Sequence, residues 1–172
     1  MGLLTAAAAA PIVRAEPLLL LHQIACGAIA AAGFGVLFNV GLRSLHWCAA
    51  AGALALAVRT LCLESGWNLE GASFAAALTV GFAVRALRSI TGISQGVLSV
   101  TGCIPIVPGS FAAKAILGLF AVAQQTTDDA GATLITAVQF SLRVVFTIGA
   151  IGTGLAIPSL LMRVRIGSRS GN

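Results

Sequence analysis

Charge is scarce in this chain. Its 172 residues include ten Lys and Arg and five Asp and Glu, 9% in all, where a soluble domain carries about 25%. So few charges cannot cover a water-facing surface, so the main solvent is lipid. No acid falls within a long apolar run: Glu64, Glu70, Asp128 and Asp129 lie between runs and Glu16 precedes the first. The chain therefore brings no carboxylate proton relay of its own. The basic residues are dispersed, with no basic run to bind nucleic acid. Cys26, Cys48, Cys62 and Cys103 have no CxxC spacing and stand in apolar stretches, which reads as small buried hydrophobes. His22 and His46 are isolated, so no metal and no cofactor are expected. There is no nucleophile–base pair and no phosphate loop, and an enzyme is not expected. "GAIGTG" (149–154) lies within an apolar run rather than between a strand and a helix, so it is no nucleotide fingerprint. The N-terminus lacks the positive region of a signal peptide.

Hydrophobicity is abundant, at 58% of residues with a mean hydropathy of +1.01. The length suits one domain. A membrane helix needs about 20 mostly apolar residues, and five runs qualify: 17–40, 45–63, 71–86, 89–123 and 133–162. Residues 1–16 form a lead-in, with Pro17 at the first helical turn, where its missing N–H costs nothing. Residues 167–172 form a tail. The fold class is thus all-α integral membrane, with five transmembrane helices.

The connectors alternate in sign. The first carries Arg43, the second Glu64 and Glu70, the third Arg85 and Arg88. The fourth carries Asp128 and Asp129, and the end carries Arg163, Arg165 and Arg169. Because Lys and Arg stay cytoplasmic, the N-terminus is placed outside and the C-terminus inside. Trp47 and Trp67 stand at opposite span ends, where interfacial aromatics belong.

The stretch "GCIPIVPGSFAAK" (102–114) predicts a break in the fourth span. Pro105 and Pro108 each remove a helical hydrogen bond and disfavour helix at the residue before. Gly109 permits unusual backbone angles, and Ser110 is suited to cap a new half-helix. Such breaks survive at membrane depth only where protein or a wet cavity takes up the freed groups. Half-helix N-termini hold anionic groups in transporters, and Lys114, one turn in, adds a full charge. A small carboxylate solute is the natural guest. The other reading is a packing kink, with Lys114 paired to an acid on another subunit.

Two further basic residues fall within spans. Arg59 lies a turn from its span's outer end and is placed to reach outward, towards Glu64. Arg143 is deeper, and Thr136, Gln139, Arg143 and Thr147 form one polar stripe at helical spacing. That stripe reads equally as an interhelical hydrogen-bond network or as part of a substrate path. The fifth span is too long for the hydrocarbon core, which predicts tilt or a bend at Gly149, Gly152, Gly154 or Pro158.

Three blocks, "GFGVLFNVGLRSLHWCAAAGALALAVRTL" (33–61), "SGWNLEGASFAAAL" (65–78) and "GCIPIVPGS" (102–110), resemble the threonine/serine exporter family. The likeness is greatest to the small membrane subunit of its split bacterial form and runs from about residue 24 to 166. It implies a bacterial inner-membrane exporter of small carboxylate metabolites, whether threonine and serine or dicarboxylates such as succinate. It also implies a larger partner subunit of the same family. The family's proline–glycine element maps to Pro105, Pro108 and Gly109, and its first-loop segment to Asn39, Arg43 and Trp47; Lys114 and Arg143 lie outside its motif. A structural subunit that scaffolds the partner without a substrate site stays open, as does association with further copies of the chain.

Overall fold

The computed structural model describes residues 17–87, 90, 94–124 and 130–169, and among them there are helices and turns but no strand. The expected lead-in 1–16, Arg88, Asp128, Asp129 and the last three residues lie outside the described residues. The helices are α1 (Pro17–Leu37), α2 (Leu45–Glu64), α3 (Leu69–Ala86), α4 (Gln95–Cys103), α5 (Gly109–Ala123) and α6 (Ala130–Arg169).

Local chemistry sets the helix ends. Past α1, Asn39 takes φ 56°; its N–H donates to the Val36 carbonyl and that of Val40 to the Gly35 carbonyl. This is a Schellman cap with asparagine in the left-handed position that glycine usually fills. Gly66, at φ 84°, closes α2 in the same way, with Trp67 N–H donating to the Cys62 carbonyl. Two residues later Asn68 caps α3, its side chain accepting from Gly71 N–H at 3.0 Å. Reversal between α2 and α3 is thus complete in four residues.

The packing reverses the usual soluble pattern. The buried core is made largely of small residues: Cys48, Ala51, Ala55, Ala76, Ala77, Val80 and Cys103, with Leu98, Ile106 and Ile151 its largest members. Large side chains such as Leu21, Ile29, Ile116, Phe120 and Phe146 point outward. In lipid there is no hydrophobic gain from burying leucine, so close backbone contact holds the helices together. α1 crosses α2 where Gly52 meets the backbone of Gly27; a Cβ on Gly27 would lie 2.9 Å from the Gly52 carbonyl oxygen. A Cβ on Gly102 of α4 would lie 2.7 Å from that of Ala51, and one on Gly154 of α6 2.8 Å from the Phe74 carbonyl of α3. One polar tie joins α1 and α2, Thr60 Oγ1 donating to Gln23 Oε1 at 2.9 Å.

Among the described residues four helices are long and apolar enough to cross a membrane, and up to five if a bent pair counts as one. That pair is Gln95–Ile106 with Gly109–Ala123, bent by 62°. α6 runs for 40 residues with Pro158 inside it, about 60 Å at 1.5 Å per residue. Buried Pro158 seats against Gly81 of α3, where an added Cβ would lie 2.9 Å from its ring. Of the cysteines, Cys48 and Cys103 are buried as expected, but Cys26 is exposed on α1.

Gly52→Val should destabilise the fold by about 1–3 kcal/mol, the usual cost of overpacking, read as a lowered unfolding midpoint in detergent. Gly33→Ala, a site with nothing within 4 Å of the new methyl, should leave the midpoint unchanged. Equal shifts would show that the α1–α2 crossing is not the constraint described.

Candidate functional site

The break is made by the residues that proline chemistry singles out. Ile104–Ile106 form one tight 3-10 turn, Val107 is extended at φ −65° and ψ 131°, and α5 starts at Gly109. Pro108 is buried and Pro105 half-buried, while Gly109 and Ser110 are exposed. Two details differ from the sequence-based expectation. Pro108, not Ser110, is the residue before the helix, and no side chain caps α5; Ser110 lies in the first turn. Gly109 does not use left-handed backbone, since among the described glycines the positive φ belongs to Gly66. The first-turn N–H groups of Gly109 and Phe111 are already taken, by the carbonyls of Val107 and Pro108. The side-chain cations are therefore the stronger anion-attracting feature here.

α5 folds back along the first half of α6, and Gly118 lets them touch: a Cβ there would lie 2.9 Å from that of Ala137. On this seam Phe111 and Phe140 stack, with ring centroids 5.6 Å apart and planes 26° from parallel. Each ring receives the cation of the opposite helix. Lys114 Nζ lies 5.6 Å from the Phe140 centroid, and the Arg143 guanidinium 5.4 Å from that of Phe111. Both distances are within the range of cation–π attraction. Lys114 and Arg143 thus engage one ring pair in a reciprocal clasp, each over the ring of the opposite helix. Arg143 also reaches Glu70 of α3, Nε to Oε1 at 3.8 Å, with the two side chains 51% and 28% exposed. Beside the clasp is an open groove of about 260 Å³, lined by Lys114, Gly118, Thr133, Thr136, Ala137 and Phe140.

The polar stripe on α6 does not act as one unit. Thr136 and Thr147 donate their hydroxyls to the carbonyls of Ala132 and Arg143 in their own helix. Exposed Gln139 does not line the groove. Arg59 makes no ion pair with Glu64; its Nε is buried without an acceptor. Sequence reasoning missed Phe111, Phe140 and Glu70. The signal was available, because Phe-x-x-Lys (111–114) and Phe-x-x-Arg (140–143) place ring and cation one turn apart on both helices.

The rings, rather than the ion pair, should hold this site. Stacking and cation–π contacts contribute about 1 kcal/mol each, while a half-exposed ion pair at this distance contributes less. Phe140→Leu should therefore lower the unfolding midpoint more than Glu70→Gln does. The opposite order would assign the positioning of Arg143 to Glu70.

No solved structure matches this chain. Its sequence matches the family described as Threonine/Serine exporter, ThrE, over residues 23–161. That match covers all three motif blocks, the break and the clasp, and the chain belongs to the threonine/serine exporter family.

Proposed function

We propose that the chain is the small membrane subunit of a two-component secondary exporter, moving small carboxylate metabolites out of the bacterial cytoplasm. Threonine and serine are the first candidates, and dicarboxylates such as succinate the next. In this reading α4 and α5 form one broken fourth span of five, in the inner membrane, with the N-terminus periplasmic and the C-terminus cytoplasmic. A larger subunit of the same family is its partner. The family assignment supports transport, and the alternating connector charges support the orientation. The observation that carries the site is the Phe111–Phe140 stack that holds both Lys114 and Arg143, with a groove lined by Lys114 and Phe140 beside it. Two cations with one acid within reach leave positive charge for a carboxylate.

Export of threonine, serine and succinate from cells expressing both subunits tests this. Lys114→Ala and Arg143→Ala should each cut export about tenfold or more, the size of one lost charge-assisted hydrogen bond. Unchanged export at normal membrane levels would remove both residues from the mechanism. For orientation, reporter fusions after Arg88 should read cytoplasmic and those after Asp129 periplasmic.

A second reading, a scaffold without a substrate site, is favoured by one contact. Glu70 already partners Arg143 within the chain, so the cation has a structural use. Solute binding by the purified chain alone, compared with the reconstituted pair, separates the two.

A further inference from the structure

The opposite end of the bundle holds a second cavity, mostly apolar with one polar side. It has a volume of about 300 Å³ and lies between the last turn of α3, the first turns of α4 and the Pro158 region of α6. Arg85, Gln95, Gly96, Ser99 and Ser159 supply its polar side, and among the described residues none of its lining is acidic. Among the described residues Arg85 has no ion-pair partner. α4 begins here at Gln95 without a side-chain cap, so its first N–H groups have no helical acceptor and add partial positive charge. The far wall is firm, because buried Pro158 is wedged against Gly81. A volume near 300 Å³ is at the small end of ligand pockets, suited to a solute of amino-acid size.

We infer that this cavity is a second binding station for a small carboxylate solute, held by the Arg85 guanidinium with Gln95 and Ser99 on its polar groups. It is distinct from the Lys114–Arg143 clasp, which lies at the other end of α3, beside Glu70. The connectors at the Arg85 end are basic, so in the proposed orientation the cavity faces the cytoplasm, where an exported solute loads. The assignment of direction rests on the exporter reading. The binding site itself does not.

The test uses the full chain in nanodiscs of zwitterionic lipid, carrying Gly96→Cys, a lining position with no role in holding the solute. A water-soluble maleimide labels the new thiol, and peptide mass spectrometry separates it from Cys26, Cys48, Cys62 and Cys103. Serine, threonine or succinate at ten times its Kd should slow labelling about tenfold, the mass-action value for one site. Arg85→Gln should abolish this protection and Arg85→Lys should keep part of it. Ser159→Cys, also on the cavity wall, provides a second reporter if Gly96→Cys does not fold. Absence of labelling, or labelling indifferent to all three solutes, would overturn the proposal, while export measured in cells still judges the exporter reading separately. Protection by added phosphatidylglycerol without any solute would overturn it too, by assigning the cavity to a lipid headgroup.

Discussion

Close backbone approach is the constraint on which this structure depends. Lipid is as apolar as leucine, so large side chains gain nothing by turning inward. What remains is van der Waals contact, which rewards only surfaces that can come near. Glycine and alanine occupy the crossings for that reason: Gly27 and Gly52 between α1 and α2, Gly102 and Ala51 between α2 and α4, Gly154 and Ala77 between α3 and α6. The same constraint explains why the polar chemistry stands at the edges of this tight body. A core of small residues leaves little room for a guanidinium, and Arg59, half within it, has an Nε that finds no acceptor.

The α5–α6 seam follows a different rule. Here aromatic rings are the contact, and the cations are placed by the rings. A π-face attracts positive charge, so the stacked pair holds Lys114 by Phe140 and Arg143 by Phe111. Glu70 gives Arg143 a carboxylate partner from α3 as well.

Much of this was legible in the residues, and the reasons are local. Asn39 and Gly66 carried a cap signal, because few other residues accept positive φ, but it went unread. Pro105 and Pro108 announce a break, because neither can donate to the turn before it. The clasp was not read, because its partners are on different helices and pairing depends on how α5 folds back. Glu70 was read as a connector residue, since Asn68 starts the helix only two residues earlier; its pairing depends on the long α6 passing alongside. Gly109 was over-read: its freedom was available to the break but the backbone does not use it. In Ser110 the right residue type stands two positions too late to cap.

One segment joins the two polar regions. α4 lines the Arg85 cavity with Gln95, Gly96 and Ser99, and α5 carries Phe111 and Lys114 into the clasp. Between them lies the Pro105–Gly109 break, with its 62° bend. A continuous helix would transmit any tilt at one end rigidly to the other. The break instead leaves each half free to follow its own neighbours: Gly102 is fixed against Ala51 on α2, and Gly118 against Ala137 on α6. Two packed half-helices meeting at one extended residue, Val107, form the kind of joint that hinge motions use. The prolines thus have a consequence beyond interrupting a span. They let the two halves of one chain segment pack on different partners, α4 on α2 and α5 on α6.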